Sequence, residues 1–387
     1  MKYYFKAVIN SSIIILLLAG CRQTYDPKVE AKNIRLLVVE GFLNSGQGPT
    51  NIRLSRTADL KDTMIKPELG AQVSVEGDNG SSFALTDNTN GDYSIAQLNL
   101  NNSVKYRLHI KTSDGKEYVS DYSSVKFAPP IDSITWQREN GGLTLYINAH
   151  DAQNAAKYYQ WKYEETWEFH SAFYNSLKYL VDPVSQSRLG VEYKNIDHSE
   201  DTTIYKCWNN INSSSIILGS TEKLTSDVIY LPVQSIEPHS EKLSVLYSLN
   251  LRQYAISQNE YLFLQKMKKN TEQLGSLFDA QPSELSGNIH CLTDPNEIVV
   301  GYVEISEEQI KRIFIDNSQV PDWNYDPGCF TIEIDNQPDS IAKYGSGVVP
   351  TVPGKTTPFG IISFYASPLR CVDCTLRGIH QKPSFWP

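Results

Sequence analysis

The stretch YQWKYEETWEF, residues 159–169, alternates apolar and polar side chains over nearly its whole length. One face carries aromatic side chains and is interrupted by a single acidic residue, Glu165. Alternation with a period of two is typical of a β-strand with one buried face. We therefore predict a long strand whose aromatic face builds a core. The alternative is an exposed aromatic ladder that stacks on sugars or peptides.

Shorter segments with the same alternation lie on both sides of this stretch. Their apolar positions are Leu36 to Val39, Ile52, Leu54, Ala71, Val73, Val75, Val104, Tyr106, Leu108 and Ile110, and further along the chain Leu243, Val245, Tyr247, Leu249 and Leu251. Turn sequences such as residues 78–80 (DNG) and 90–91 (NG) separate the earlier segments and supply the positive φ angles of tight hairpins. The pattern predicts a mainly β chain that forms two antiparallel, immunoglobulin-like β-sandwich domains.

Residues 128–130 (APP) mark the predicted boundary between the two domains. Consecutive prolines cannot join a central strand ladder, and they stiffen a linker. We therefore expect an N-terminal β-sandwich over residues 34–127 and a larger β-rich domain over residues 131–387.

One helix is predicted within the larger domain, near residues 258–274. Ser257 and Glu260 have the spacing of a capping box, apolar side chains recur at helical spacing, and Gly275 stands where a C-terminal cap is wanted. Residues 306–314 fit either a helix or a strand.

The first 20 residues have the parts of a lipoprotein signal peptide. Lys2 and Lys6 precede an apolar run over residues 13–18, and residues 18–21 (LAGC) place small side chains before a cysteine. The apolar run is too short to span a bilayer as a permanent helix. We therefore predict that residues 1–20 are removed and that Cys21 is acylated.

Acyl chains on Cys21 would anchor the protein to a membrane, since each buried methylene contributes ~0.8 kcal/mol. Residues 21–33 are polar and lack periodicity, which predicts a lipidated tether. Arg22 follows the cysteine in place of the aspartate associated with inner-membrane retention, and this favours the outer membrane. The sequence leaves open whether the protein faces the cell surface or the periplasm.

The composition argues against several classes of function. The chain has 35 basic and 44 acidic side chains and a net charge of -9, which makes nucleic acid an unsuitable partner. It contains no His-Glu-x-x-His zinc helix, no Gly-x-Ser-x-Gly elbow and no phosphate-binding glycine loop. The adjacent carboxylates at 164–165 and 307–308 are expected on solvated surfaces. We therefore predict a binding protein with no catalytic residue, no cofactor and no metal site.

Besides Cys21 the chain has five cysteines, and disulfides persist in exported proteins. They are Cys207, Cys291, Cys329, Cys371 and Cys374. Since five cysteines cannot all pair, we expect one or two disulfides and a remaining thiol, with the connectivity left open. The spacing of Cys371 and Cys374 would also suit a metal or redox site. A metal site would need a second close pair of ligands, and a redox site would need a following helix.

Several separate motifs occur in the order found in one family. They are residues 38–41 (VVEG), 275–282 (GSLFDAQP), 287–289 (GNI), 301–302 (GY), 371–374 (CVDC) and 383–386 (PSFW). In these motifs the chain resembles the Bacteroidota lipoproteins grouped as domain of unknown function 4249, over nearly all of the mature chain. Residues 86–87 (TD) and 90–93 (NGDY) also resemble the carboxypeptidase-regulatory type of β-sandwich.

The family resemblance implies a role beside a transporter. Members of that family are typically encoded next to TonB-dependent outer-membrane transporters, so we expect a non-catalytic accessory lipoprotein in nutrient uptake. The family offers no catalytic residues to carry over. An extracytoplasmic hydrolase and an envelope adhesion or scaffold protein are the alternatives. Loops on a rigid scaffold commonly carry recognition, and we expect the docking patch in residues 177–212 and 350–387.

The variant Cys21→Ser tests the lipid anchor. It should leave an unprocessed or misprocessed protein that is released from the membrane, because acyl chains rather than a surface patch provide the membrane affinity. Fractionation of cells that express either form measures this. A variant that stays firmly in the membrane pellet would contradict the prediction.

Overall fold

The computed structural model describes residues 35–58, 64–272 and 287–387. The predicted signal peptide, the tether and Cys21 lie outside these residues. Strands form at the alternating segments, which confirms the prediction of a mainly β chain. Among the described helices, none combines the length and the apolar character needed to cross a membrane.

The first strands are short and are joined by tight turns, as the glycine-containing turn sequences predict. They are β1 (Leu37–Asn44), β2 (Thr50–Arg56), β3 (Lys66–Pro67), β4 (Gln72–Gly77), β5 (Ser82–Ala84), β6 (Thr86–Asp87), β7 (Asp92–Ile95), β8 (Lys105–Lys111), β9 (Glu117–Ser120) and β10 (Ser123–Ser124). Gly80, Gly91 and Gly115 adopt positive φ angles at the turns.

Longer strands and one long helix follow residues 128–130. They are β11 (Ile131–Glu139), β12 (Gly142–Asp151), β13 (Tyr158–His170), β14 (Leu177–Val181), β15 (Arg188–Tyr193), β16 (Lys206–Asn212), β17 (Ile217–Ser220), β18 (Asp227–Ile236), β19 (Leu246–Ala255) and α1 (Gln258–Glu272). Helix α1 begins where the predicted helix does. The position of Gly275 lies outside the described residues.

The last part of the chain contains short strands and a second helix. They are β20 (Ile289–Cys291), β21 (Val299–Gly301), β22 (Ile305–Ser306), β23 (Gln309–Asp316), β24 (Ile332–Asp335), α2 (Pro338–Tyr344), β25 (Val348–Pro353), β26 (Thr356–Thr357), β27 (Gly360–Ile361) and β28 (Ser363–Pro368). The segment 306–314, for which the sequence fits helix or strand, is therefore mostly strand.

The first sandwich is built from two separate parts of the chain. One sheet has the order β21-β1-β2-β7-β6 and the other the order β20-β9-β8-β4-β5. Strand β1 pairs in parallel with β21 and β22, and β20 pairs with β9. Ile289, Val299 and Ile305 are buried in the same core as the earlier strands. Because parallel pairing requires a long connection, a pattern of local hairpins cannot indicate it.

This return of the chain corrects the predicted domain boundaries. A continuous second domain over residues 131–387 is wrong for residues 289–306, which complete the sandwich predicted for residues 34–127 alone. Residues 126–130 still connect β10 of the first sandwich to β11 of the second.

The second sandwich packs a three-stranded sheet, β11-β12-β18, on a sheet of order β16-β13-β19-β23. The stretch 159–169 is the centre of the larger sheet, and its aromatic face lies in the core with Tyr159, Trp161 and Phe169 fully buried. The prediction of an aromatic core is therefore confirmed, and the alternative of an exposed ladder on this strand is wrong.

Glu165, the single break in the aromatic face, is buried in this core at 2% exposure. Its carboxylate accepts hydrogen bonds from the Lys242 ammonium at 2.7 Å and from the Tyr247 hydroxyl at 2.8 Å. Burial together with the Glu165 charge raises the pKa of Tyr247, so its hydroxyl stays protonated and donates. The Glu165 carboxylate is thus bonded to one ammonium group, that of Lys242, and to one neutral hydroxyl donor, that of Tyr247.

The Glu304 carboxylate connects the start of α1 to the segment between the two sandwiches. Ser257 Oγ accepts from the Glu260 backbone N–H at 3.0 Å, as a capping box requires. The Ser257 backbone N–H donates to Glu304 rather than to Glu260, and Glu304 also pairs with Lys126 at 2.9 Å. Burial beside Glu304 raises the pKa of Glu260, which stays protonated there. The predicted capping box is therefore only half formed.

A third, smaller unit, here called the side module, consists of residues 177–193 and 332–368. It contains the hairpin β14-β15, the sheet β24-β28-β25, the hairpin β26-β27 and helix α2. Its own core includes Leu177, Ile334, Ile341 and Phe364. Two distant parts of the chain therefore share one hydrophobic cluster.

Removing the cation that holds Glu165 should destabilise the protein. Lys242→Met keeps the aliphatic stem but leaves a buried carboxylate without its ammonium, so we expect a loss of about 2–3 kcal/mol in the free energy of unfolding. Urea unfolding curves measure it. Adding Glu165→Leu should recover most of the loss. Lys178→Met, which removes an exposed lysine, is the control and should cost less than about 0.5 kcal/mol. Equal stabilities of the Lys242 and Lys178 variants would refute the role of the pair.

Candidate functional site

The tips of the side module and the loop beside it expose apolar side chains. Val184 in the β14-β15 turn is 91% exposed, and Ile196 after β15 and Phe359 in the β26-β27 turn are fully exposed. Further exposed apolar residues of the module are Leu180, Val181, Leu189, Tyr344, Ile362 and Tyr365. Large apolar side chains that are exposed on a surface are candidates for contact with another macromolecule.

Local hydrogen bonds hold these tips in defined turns. Asp182 Oδ1 accepts from the backbone N–H groups of Val184 and Ser185 at 2.9 and 2.7 Å, and these bonds lower the pKa of Asp182. Beside Ile196, Asp197 accepts from the Ser199 hydroxyl at 2.7 Å. The exposed side chains are therefore presented on ordered turns, which lowers the entropy cost of binding.

Side-chain hydrogen bonds join the parts of the side module to one another. Asn336 accepts from the Val191 backbone N–H at 2.8 Å and donates to the Ile361 carbonyl at 3.0 Å, so it links the two hairpins. Arg188 donates to the Gly345 carbonyl at 2.6 Å and lies over the Tyr179 ring at 4.2 Å. These bonds fix the hairpins against the helix and the sheet.

The two segments in which we expect the docking patch contain more strands than the sequence analysis predicts. Residues 177–212 were expected to be rich in loops, yet they contain β14, β15 and β16, and β16 belongs to the second sandwich. Residues 350–387 contribute most of β25 and all of β26, β27 and β28 to the side module. They then cross to β16, where Ile379 and Trp208 exchange backbone hydrogen bonds. Only the turns between these strands are exposed tips.

Two disulfides hold the C-terminal segment. Cys207 pairs with Cys374 and Cys329 pairs with Cys371, each with a Cα–Cα distance of 5.8 Å. Cys291 is a buried free thiol in the first sandwich. Since Cys371 and Cys374 bond to different partners, their close spacing forms neither a redox pair nor a metal site. Across the described residues, no cluster of His, Cys, Asp or Glu is arranged to hold a metal ion.

The chain ends against the buried carboxylate of Glu168. The Trp386 indole N–H donates to Glu168 at 3.0 Å, and His170 and Lys206 contact the same carboxylate at 3.0 and 2.8 Å. Burial opposes the charge of Glu168, but the bonds from these three side chains outweigh it and lower its pKa to about 2. The last residues are therefore part of the second sandwich.

The adjacent carboxylates do not lie wholly on the surface, as the sequence led us to expect. One member of each pair faces inward because successive residues of an extended chain point to opposite sides. Glu165 is held as described above, and buried Glu308 accepts from the Tyr254 hydroxyl at 2.6 Å and from Arg252 at 3.2 Å. These bonds give both buried carboxylates a structural role.

The family model of the domain of unknown function (DUF4249) matches residues 22–312. The chain belongs to this family. The match includes both sandwiches up to the middle of β23 and the hairpin β14-β15. No curated protein matches the sequence of this DUF4249 protein.

Two solved structures are locally similar to this DUF4249 protein. One is trypsin-activated alpha-2-macroglobulin from Escherichia coli, with 13% identity, 58% of this chain and 15% of that chain covered, and a TM-score of 0.18. The other is an alpha-2-macroglobulin mutant from Salmonella, with 8% identity, 83% and 16% coverage, and a TM-score of 0.19. This chain thus aligns with only a small part of those longer proteins, and such low scores carry no conclusion about fold or function.

The Glu168 network predicts an acid-sensitive part of the stability. Because the folded pKa lies below the unfolded value of about 4.3, the network stabilises the DUF4249 protein above that value and stops doing so as the pH falls toward 2. Glu168→Gln should therefore lower the free energy of unfolding at pH 7 by on the order of 2 kcal/mol and lose less stability than wild type between pH 5 and 2. Urea unfolding at several pH values measures this, with Glu192→Gln on the exposed face of β15 as the control. Parallel pH curves for wild type and Glu168→Gln would disprove it.

Proposed function

We propose that this protein is a lipid-anchored, non-catalytic accessory protein of the outer membrane that docks on a TonB-dependent transporter through the side module. The observation that carries the proposal is the exposure of the apolar tips Val184 and Phe359, on a module with its own core, and of Ile196 in the loop beside it. Docking through apolar tips on a rigid module buries their area at little conformational cost.

The position of the module supports this role. Among the described residues it shares no strand pairing with the two sandwiches, since its sheets contain β14, β15 and the strands from β24 to β28. Its exposed turns can therefore enter a partner without disturbing the ladders that hold the sandwiches together. Asn175, just before β14, donates to the Pro350 carbonyl at 2.8 Å and fixes the base of the module.

The predicted anchor supplies the second requirement of an accessory protein. Acylation at Cys21 would confine the protein to the membrane that holds the transporter, and such confinement raises the local concentration of one partner near the other. Residues 21–33 would then act as the tether between the lipid and the first described strand. A modest affinity of the side module would suffice under these conditions.

The docking surface can be tested with a variant that keeps the module folded. Val184→Asp, Ile196→Asp and Phe359→Asp combined place charges on exposed tips, so the fold should survive while apolar contact with the partner is lost. Solubilisation in mild detergent, affinity purification and mass spectrometry measure the amount of transporter recovered. We expect a loss of at least about tenfold relative to wild type.

A matched control is available on the first sandwich. Met64 is also a strongly exposed apolar residue, but it lies outside the side module, so Met64→Asp should leave the recovery of transporter unchanged. Thermal unfolding of all variants checks the fold. The proposal fails if wild type recovers no transporter, if the triple variant recovers as much as wild type, or if the purified protein hydrolyses glycan, peptide or ester substrates at enzyme-like rates.

A further inference from the structure

The outer face of the three-stranded sheet of the second sandwich exposes a second set of side chains. Alternation along β11, β12 and β18 turns Ile134, Ile147 and Ile229 into the core. The same alternation leaves Thr135 and Gln137 of β11, His150 of β12 and Val228 and Tyr230 of β18 exposed on the other side. This face lies outside the side module.

Two tyrosine rings form the centre of this face. Tyr146 and Tyr230 stack nearly parallel, with 4.9 Å between ring centroids and an angle of 9°. In the strand register Tyr230 is opposite Asn148 rather than Tyr146, so its ring leans along the sheet. The Tyr230 hydroxyl accepts a hydrogen bond from Gln137 at 2.8 Å, which fixes the ring. Tyr230 is 53% exposed, so about half of its surface is accessible to a ligand.

Polar side chains surround the tyrosine pair and are ordered by bonds to one another. Asn148 donates to the Thr135 hydroxyl at 3.2 Å, and His150 Nδ1 contacts Asp132 at 2.7 Å. Each of these side chains uses one polar atom within the face and keeps another for a ligand. These free atoms are Oε1 of Gln137, Oδ1 of Asn148 and Nε2 of His150.

The face continues into a cleft of about 850 Å³ that is lined by the linker residues 126–130 and by residues of the second sandwich. Asp132 and His150 belong to both the face and the cleft. The opposite walls are formed by Phe127, Pro129 and Tyr158. Ligand sites commonly combine such an apolar wall with a few fixed polar groups.

Most charged side chains of this region have a partner. Asp151 and Lys157 place one charge of each sign in the cleft, and Glu139 accepts a hydrogen bond from the Tyr146 hydroxyl. His150 is paired with the Asp132 carboxylate, and this bond raises the pKa of His150. Arg138, at the end of β11, forms two hydrogen bonds with Asp322 at 2.8 and 3.0 Å. Lys126, at the edge of the cleft, is paired with Glu304. The complementary ligand is therefore uncharged, carries many hydroxyl groups and has an apolar face for the tyrosine ring.

We propose that the outer face of β11, β12 and β18, with Tyr230 at its centre, and the adjoining cleft bind a neutral oligosaccharide. The C–H face of a pyranose ring packs on an aromatic ring, while amide and imidazole groups bond its hydroxyl groups. The site would recognise cargo or a surface glycan. It does not depend on the docking role of the side module.

Purified full-length protein in mild detergent tests the proposal without any transporter. Native electrophoresis in gels that contain soluble amylose, laminarin, xyloglucan, galactomannan or xylan measures retardation, and calorimetry with the matching hexasaccharide measures the affinity. We expect at least one of these neutral glycans to bind. Tyr230→Ala should weaken that binding about tenfold through loss of the stacked ring, and Gln137→Ala should weaken it less.

Tyr344→Ala is the matched control, because Tyr344 is equally exposed at 53% but lies in the side module. It should change the affinity less than twofold, and thermal unfolding should show that both tyrosine variants are folded. The proposal is overturned if no glycan binds, if a bound glycan ignores Tyr230→Ala, or if only a proline-rich peptide binds this face. A negative result here leaves the transporter proposal standing, because no transporter is present in the assay.

Discussion

The connection between the two sandwiches depends on the Glu304 carboxylate. It accepts from the backbone N–H at the start of α1, pairs with Lys126 in the segment between the sandwiches, and lies beside the protonated side chain of Glu260. Three separate segments of the chain therefore meet at the buried charge of Glu304. A buried charge is tolerated only where it is paired and hydrogen-bonded, so these contacts fix the positions of the three segments relative to one another.

Apolar contacts complete this junction. Phe42 of β1 packs on Tyr254 of β19 with ring centroids 4.0 Å apart, and Phe263 of α1 packs on Tyr302 at 5.5 Å. Gln253 accepts from the buried Trp161 indole and donates to the Pro129 carbonyl at 2.6 Å. The linker that the sequence marks by its prolines is thus bonded to the core of the second sandwich. The two sandwiches consequently share polar and apolar contacts.

Local patterns in the sequence predicted the strands well. The alternation at 159–169 gave the central strand and its buried aromatic face, and the Ser257 hydroxyl marked the start of α1. The pairing of strands that are distant in sequence could not be predicted, because alternation indicates which face of a strand is buried but not which strand lies beside it. Residues 289–306 and the side module were missed for this reason. The Tyr146 and Tyr230 pair was missed likewise, since these residues belong to different strands and meet only in the folded sheet.

The disulfide connectivity constrains how the chain can be exported and oxidised. Cys207 bonds to Cys374, which lies 167 residues further along the chain. Cys371 and Cys374 are close in sequence, but they do not bond to each other. The native bonds can form only after the C-terminal segment has emerged and docked on β16. An oxidant that acted earlier would trap the wrong pair, so the tertiary structure itself selects which thiols are joined. The two native bonds therefore depend on the packing of the C-terminal segment against β16.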